Sequence, residues 1–252
     1  MRVAILTDIH ANLPGLEAVL AASDEADVEE RWCLGDVVGY GAQPDECTAL
    51  VRERCEVCLV GNHDLAVTGE IDTEVFSASA AAAVEWTRQN CQRETIEFLK
   101  GLRPEILDRE AGLYHASPRD PVWEYVLAID QARECMAEQA KRVSLIGHSH
   151  VALFFTDGDG PGGATSPPKR GTGGQPPAGH VLDVSGGDRW LLNPGSAGQP
   201  RDGDPRAAWL ELDTAEWTAT YHRVEYDIER AASAIRAAGL PELLADRLSV
   251  GQ

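Results

Sequence analysis

The sequence predicts an α/β fold, and two observations carry that prediction. In the first half of the 252 residues, short apolar runs alternate with segments of helical periodicity, which is the pattern of strands and helices in an α/β protein. In the second half, strand-like alternation of apolar and polar residues dominates. Because a chain of this length can still form a single hydrophobic core, we expect one elaborated domain over residues 1–252.

The clearest strand and helix patterns lie before residue 157. The buried strands predicted there are Arg2–Thr7, Arg31–Leu34, Glu56–Val60, Gly112–His115 and Val143–Ile146. The predicted helices are Pro14–Ser23, Pro44–Cys55, Thr73–Gln89, Cys91–Leu102 and Asp130–Lys141. The first two helices have a proline near their start, where the missing N–H costs no helical hydrogen bond.

The second half changes in composition. Residues 157–179 are rich in Gly, Pro, Ser and Thr, which bury little apolar surface, so we expect an excursion on the surface. The strands predicted after it, as members of a mostly antiparallel sheet, are Val181–Val184, Arg189–Asn193, Ala207–Leu212 and Trp217–Arg223. A C-terminal helical segment over residues 227–252 holds two predicted helices, Ile228–Ala238 and Pro241–Leu248.

The charge balance limits the classes of partner. With 22 basic and 41 acidic residues the net charge is −19, which disfavours binding to long nucleic acid. A small phosphorylated substrate stays compatible, because bound cations dominate the field at a metal site. The apolar runs are too short for a signal peptide or a membrane span, so we expect no membrane partner. The sequence leaves the oligomeric state open.

The six cysteines are spread along the chain. Without a signal peptide this favours reduced thiols and a cytoplasmic location. Cys55 and Cys58 have CxxC spacing, but no second pair accompanies them, and the odd separation within a predicted strand sends the side chains to opposite faces. Buried thiols are therefore a better interpretation of this pair than a metal or redox site.

Polar side chains that can bind metals follow five of the predicted strands. They are Asp8 and His10, then Asp36, then Asn62 and His63, then His115, and finally His148 and His150. In open α/β sheets, ligands collect at the carboxyl ends of strands, so we expect these residues to meet at one rim. Asp8 and His10 are two residues apart and are expected to point to the same side and bind one ion, and the same reasoning applies to His148 and His150.

The ligand types indicate which ions such a rim would bind. Imidazole, carboxylate and amide groups together suit Mn²⁺, Fe²⁺, Zn²⁺, Co²⁺ or Ni²⁺ and argue against a dedicated Mg²⁺ or Ca²⁺ site. Seven candidate ligands exceed the needs of one ion. Two ions about 3.5–4 Å apart, sharing a carboxylate, would use them all and would stabilise both the attacking and the leaving oxygen of a phosphoryl displacement.

The motifs and their order closely resemble the calcineurin-like metallophosphoesterases. They are Asp-x-His (Asp8 to His10), Gly-Asp-x-x-Gly (Gly35 to Gly39), Gly-Asn-His-Asp (Gly61 to Asp64), an isolated His115, and Gly-His-Ser-His (Gly147 to His150). Within that group the chain looks most like the small prokaryotic branch of YfcE-like and diadenosine tetraphosphatase-like proteins. The resemblance implies a four-layer sandwich of two mixed β-sheets flanked by helices.

The resemblance also implies a role for each motif residue. Asp8, His10 and His150 would hold the first ion, Asn62, His115 and His148 the second, and Asp36 would bridge the two. A hydroxide held between the ions would attack phosphorus. His63 would protonate the leaving group, and Asp64 would orient the His63 ring. Manganese is the first choice of metal in this interpretation.

Five residues outside the ligand set have two interpretations each. Asn12 either lies near the substrate phosphate, as the resemblance suggests, or caps the helix that begins near residue 14. Arg119 and Arg201, each in a Pro-Arg-Asp sequence, either bind the substrate or pair with the neighbouring aspartate on the surface. Tyr40 and Trp123 either stack on a base or cover the core.

The sequence therefore predicts a metal-dependent phosphoesterase acting on a small phosphorylated substrate, with a nucleotide-type phosphodiester or phosphomonoester as the expected class. The alternative is a catalytically silent protein-binding scaffold on the same fold. Relatives of that kind lose the motif histidine, whereas His63 is present here.

Overall fold

The computed structural model describes residues 1–158 and 171–252, and in them strands form two mixed six-stranded sheets. The first sheet contains, from edge to edge, β3 (Val57–Cys58), β2 (Glu30–Cys33), β1 (Arg2–Leu6), β11 (Ala207–Asp213), β12 (Thr218–Val224) and β9 (Val181–Asp183). The second contains β4 (Glu105–Ile106), β5 (Gly112–Tyr114), β6 (Val143–Leu145), β10 (Trp190–Pro194), β7 (Ala152–Thr156) and β8 (Thr172–Gly174). Each sheet mixes parallel and antiparallel pairs.

Helices cover the outer faces of the two sheets. In chain order they are α1 (Leu13–Glu25), α2 (Pro44–Arg54), α3 (Asn62–Thr68), α4 (Ala78–Asn90), α5 (Arg93–Lys100), α6 (Ile129–Glu138), α7 (Ile228–Ala237) and α8 (Glu242–Asp246). A 3-10 turn, Arg247–Val250, follows α8. No helix among the described residues combines the length and the apolar character needed to cross a bilayer.

Strand β1 shows why the sheets and helices stack in four layers. Its residues alternate between two apolar surfaces: Val3 and Ile5 belong to the core between the sheets, and Ala4 and Leu6 to the core beneath the helices. The same inner core includes Leu145 of the second sheet. Burying one such aliphatic side chain contributes about 1.5–3 kcal/mol. The predicted four-layer sandwich is confirmed.

The structure corrects the predicted strands and helices in several places. β10 was predicted to share a sheet with β9, β11 and β12, but it lies in the second sheet between β6 and β7. The alternation of apolar and polar residues identifies a strand but does not indicate which strands pair with it, which explains the error. The predicted excursion over residues 157–179 lies partly outside the described residues, and its end contains β8, which pairs with β7. Strand β7 and helix α3 were not predicted.

The C-terminal segment packs against the loop that follows β2 and against helix α4. Its apolar side chains form a cluster with Tyr40 and with two alanines of α4. The buried members from this part of the chain are Ala231, Ala232, Ile235, Leu240, Leu244, Ala245 and Leu248. This packing brings the 3-10 turn next to the rim where the predicted ligands meet.

Candidate metal centre

The predicted ligands come together, although they come from both sheets. Asp8, His10, Asp36 and Asn62 follow β1, β2 and β3 of the first sheet. The remaining ligands, His115, His148 and His150, follow β5 and β6 of the second sheet. All seven side chains are buried. The candidate site therefore lies where the carboxyl ends of strands from the two sheets meet, and its geometry depends on how the sheets pack.

Two groups of potential ligand atoms share one residue. Among the described residues, the first group is Asp8, His10, Asp36 and His150, and the second is Asp36, His115 and His148. Asp36 Oδ2 lies 3.5 Å from His10 Nε2 and 3.7 Å from His115 Nε2. Asn62 adjoins the second group, since its Oδ1 is 3.3 Å from His115 Nε2. The shared carboxylate has the position expected of a bridge.

The spacing argument for His148 and His150 was wrong. They were expected to bind one ion, yet His150 belongs with Asp8 and His10, and His148 belongs with His115. Strand β6 ends at Leu145, and both histidines have left-handed backbone with φ of 63° and 59°. The alternation of side chains along a strand does not apply in this conformation.

Left-handed backbone recurs throughout the ligand set. Asp8, His10 and Asp36 have φ between 50° and 54°, a region that costs a residue with a Cβ about 1–2 kcal/mol. Such conformations persist only where surrounding structure enforces them, and they concentrate at functional sites. Here they turn side chains from successive loop residues toward one centre.

Hydrogen bonds fix the tautomer of three ligand histidines. The Nδ1 atoms of His10, His115 and His150 lie 3.1, 2.9 and 2.6 Å from the backbone oxygens of Val38, Leu34 and Gln199. Because a carbonyl oxygen only accepts, each Nδ1 must carry the hydrogen. The Nε2 lone pairs therefore point inward, as metal-ligating histidines require.

Several inward-pointing atoms lack partners in the described residues. Asp8 Oδ1, Asp36 Oδ2 and His148 Nε2 are buried and make no hydrogen bond. His10 Nε2 and His150 Nε2 face each other at 3.1 Å, although both carry lone pairs. Burying unsatisfied acceptors is costly, and opposed lone pairs repel. A cation among these atoms removes both penalties, so the donor set fits a metal.

The electrostatics of the metal-free centre support this fit. Burial, together with the charge of Asp36, raises the pKa of Asp8 to about 7 in spite of the opposing effect of His115. Burial, followed by the charge of Asp64, raises the pKa of Asp36 well above its usual value. Burial lowers the pKa of His10 and His150, which keeps both imidazoles neutral. Bound cations would reverse the effect on the carboxyls.

His63 lies beside the ligands without belonging to either group. Its ring contacts those of Tyr40 and His10 at centroid distances of 4.3 and 4.8 Å, and its Nδ1 has no partner among the described residues. Gly39 has a φ of +88°, and a Cβ there would lie 2.6 Å from His63 Nδ1. The second glycine of the Gly-Asp-x-x-Gly motif thus leaves room for the His63 ring.

Asp64 does not make the contact that the resemblance implied. Its carboxylate accepts hydrogen bonds from the backbone N–H groups of Val37, Val38 and Gly61, at 3.2, 3.0 and 3.0 Å. None of these hydrogen bonds reaches the His63 ring. Asp64 therefore ties the loop carrying Asp36 to the start of α3 and positions the backbone around the ligands.

Asn12 caps a helix, as one of its two interpretations predicts. Its Oδ1 accepts from the N–H of Gly15 at 3.1 Å, and its Nδ2 donates to the backbone oxygen of Gly198 at 2.7 Å. Both ends of the amide are used within the protein. The Gly198 contact also holds the loop after β10 against the first ligand loop.

The two Pro-Arg-Asp arginines lie in different surroundings. Arg119 forms ion pairs with Glu134 and Glu124, rather than with its neighbour Asp120, and does not line the cavity beside the metal cluster. Arg201 does line that cavity, donates to Gln199 Oε1 at 2.9 Å and stacks over Tyr40. The structure therefore separates Arg201 from Arg119 as a substrate-binding candidate.

The cavity has a volume of about 330 Å³ and opens next to Asn62, His63 and His148. Tyr40 and Trp123, which had two interpretations, are both in its wall. The wall residues that sequence reasoning missed include three large side chains, which are those of Phe76, Tyr125 and Arg247. Phe76 contacts the rings of His63 and Trp123. No local motif marked any of the three.

The chain is similar to known proteins over most or all of its length. Residues 1–215 match the calcineurin-like phosphoesterase superfamily domain. The chain is 32% identical to the uncharacterized protein MJ0912 of Methanocaldococcus jannaschii, over 99% of this chain and 98% of that one. It is similar to the crystal structure of a metallophosphoesterase from Sphaerobacter thermophilus, with 40% identity, a TM-score of 0.85 and coverage of 100% and 99%. It also resembles hypothetical protein PH1004 from Pyrococcus horikoshii OT3, at 20% identity and a TM-score of 0.77, over 100% and 98%.

Proposed function

We propose a function from one established premise: the chain belongs to the calcineurin-like phosphoesterase superfamily. The family predicted from the five motifs is thereby confirmed, and with it a phosphate-ester hydrolase with a candidate metal site. We infer that the protein hydrolyses phosphodiester or phosphomonoester bonds of small substrates, with nucleotides as the expected class. We further infer two divalent ions, with Mn²⁺ as the first choice and Fe, Zn, Ni or Co as the others.

The observation that carries this proposal is the pair of ligand groups joined at Asp36. Asp8, His10 and His150 would hold one ion, Asn62, His115 and His148 the other, with Asp36 between them. When bound, such ions supply a Lewis acid that activates water and neutralises charge on the phosphoryl group. The unpartnered Asp8 Oδ1, Asp36 Oδ2 and His148 Nε2 support these assignments.

His63 is proposed as the proton donor to the leaving oxygen. It lines the cavity, and burial together with the positive charge of Arg201 lowers its pKa. A phosphate bound in the cavity brings negative charge that opposes both effects. Protonation of His63 is thereby coupled to substrate binding. Asp64 assists by holding the backbone from which Asp36 and His63 project.

We also propose a cytoplasmic location and a small substrate. All six cysteines are free thiols, which suits a reducing compartment. The net charge of −19 argues against long nucleic acid as a partner, and no membrane partner is proposed. Asn12 and Arg119, whose side chains are already bonded within the protein, are weaker substrate-binding candidates than Arg201.

The test compares His63→Ala with His180→Ala, since His180 lies outside the ligand groups. We expect His63→Ala to retain metal, measured by plasma mass spectrometry, while turnover of bis-p-nitrophenyl phosphate with Mn²⁺ falls by about 10² or more. His180→Ala should match the unaltered protein. Unchanged turnover in His63→Ala would show that His63 is not the proton donor. An unaltered protein that is inactive and binds no metal would favour the scaffold alternative.

A further inference from the structure

The cavity beside the metal cluster has an unusual charge for this protein. Acidic residues outnumber basic ones by 41 to 22, yet the ionised side chains in the described wall are two arginines, Arg201 and Arg247, without a carboxylate. Arg201 follows β10, whereas Arg247 begins the 3-10 turn at the C-terminal end of the chain. The two cations come from segments about 46 positions apart and meet in one wall.

Neither guanidinium is neutralised by a side-chain carboxylate of the described residues. Most described arginines pair with Asp or Glu, as Arg206 does with Asp204. Arg201 uses a nitrogen for Gln199 Oε1, and its buried Nε makes no hydrogen bond within the described structure. Arg247 donates to the backbone oxygen of Gln252. Both therefore keep donor nitrogens for a ligand.

The two arginines also repel each other. Burial, followed by the positive charge of Arg201, lowers the pKa of Arg247. Two guanidinium groups held close without an anion raise the energy of the empty cavity, and an anion between them relieves it. Guanidinium groups match phosphate oxygens with paired N–H donors.

We propose that Arg201 and Arg247 form a second phosphate subsite, so that the preferred substrate carries two linked phosphates. This rests on the proposed function, because the scissile phosphate would occupy the metal cluster at Asn62, His63 and His148. The aromatic wall of Tyr40, Phe76 and Trp123 then suits the base of a nucleoside diphosphate. Water adds to the terminal phosphorus, the P–O bond between the phosphates breaks, and the products are a nucleoside monophosphate and inorganic phosphate.

One arginine of this subsite lies outside the residues that match the family domain. The match to the family domain ends at residue 215, and Arg247 lies 32 residues beyond it. The arginine is carried there by α7 and α8, whose apolar faces pack on Tyr40 and α4. The C-terminal segment thereby adds a specificity element to a reaction centre that the first 215 residues contain.

The test uses Arg247→Gln, with Arg236→Gln as the matched control. Arg236 lies in α7 and pairs with Glu229 and Asp246 away from the cavity. In EDTA, calorimetric titration with inorganic pyrophosphate should show affinity falling about tenfold or more in Arg247→Gln, the size expected for losing a charged hydrogen bond, and unchanged in the control. Arg247→Lys should recover part of the loss.

Kinetics with Mn²⁺ provide the second measurement. For ADP, Arg247→Gln should raise KM by about tenfold, while kcat/KM for bis-p-nitrophenyl phosphate, which carries one negative charge, should stay within about twofold. Equal effects on both substrates, or pyrophosphate binding that does not change in Arg247→Gln, would contradict the proposal of a second phosphate subsite. If neither substrate is hydrolysed but pyrophosphate binding still depends on Arg247, the proposed function fails and the anion subsite stands.

Discussion

Replacing Asp8 with asparagine is expected to stabilise the metal-free protein at alkaline pH. The Asp8 carboxyl is fully buried, and its pKa is raised from 3.8 to about 7. At pH 8 the folded protein must hold this group ionised in a medium that favours its neutral form. The difference in pKa corresponds to about 4 kcal/mol of lost stability, as an upper estimate. Asparagine keeps the shape of the side chain without that cost.

The sign and the pH window follow from the raised pKa. Because the folded state binds the proton more tightly, the stabilising contribution of protonated Asp8 is complete below pH 3.8 and is lost as the pH rises to about 7. The advantage of Asp8→Asn should therefore grow by about 2–3 kcal/mol between pH 5 and pH 8.

The assay is urea unfolding in EDTA at pH 5, 6, 7 and 8, with Asp130→Asn as the control, since the Asp130 side chain is 86% exposed. The control should differ from the unaltered protein by less than about 0.5 kcal/mol at every pH. Adding Mn²⁺ should stabilise the unaltered protein more than Asp8→Asn, because a ligand is missing in the variant. A difference that stays flat with pH, or that shrinks toward pH 8, would refute the reasoning.

Two further predictions concern the surroundings of the site. Gly39→Ala should lower turnover by about tenfold, because the added methyl group displaces His63. Gly69→Ala is the control: its φ of +82° is similar and nothing lies within 4 Å of the added Cβ, so it should lower stability without changing turnover. Equal turnover in the two variants would contradict this prediction. Arg223→Met should lower the free energy of unfolding in urea by about 3–5 kcal/mol, because it leaves the buried Asp202 carboxylate without its charged partner. Arg230→Met breaks an exposed ion pair with Glu17 and should lower the free energy of unfolding by less than about 1 kcal/mol. A similar loss in both variants would show that burial does not set the cost of breaking these ion pairs.

Much of the site could be predicted because its signals are local. Each ligand follows a short apolar strand directly, so pattern and chemistry occur within a few residues of each other. Asp36 is an example: it comes three residues after β2, and Gly35 before it has a φ of +99°, close to His115 and Gly61. A strand, a tight turn and a carboxylate are all readable from one short window of sequence.

Other features could not be predicted because they depend on distant partners. The carboxylate of Asp64 bonds to backbone N–H groups 26 and 27 residues earlier, which a sequence pattern does not reveal. The sheet to which β10 belongs depends on pairing with β6 and β7. Arg247 lies in a helical segment whose sequence shows only the apolar periodicity of a packed helix. Its place in the cavity follows from the packing of α7 and α8 on Tyr40 and α4.

The division of the ligands between the sheets has a consequence for folding. Each ligand group takes residues from both sheets: His150 joins the first group from the second sheet, and Asp36 joins the second group from the first. Neither group can form until the inner core, with Ile5 and Trp32 facing Leu145, has packed. Metal binding then favours only the arrangement in which the sheets are correctly registered, so the binding free energy adds to the stability of the sandwich as a whole. The strained left-handed turns at Asp8 and Asp36 are tolerated because that packing encloses them.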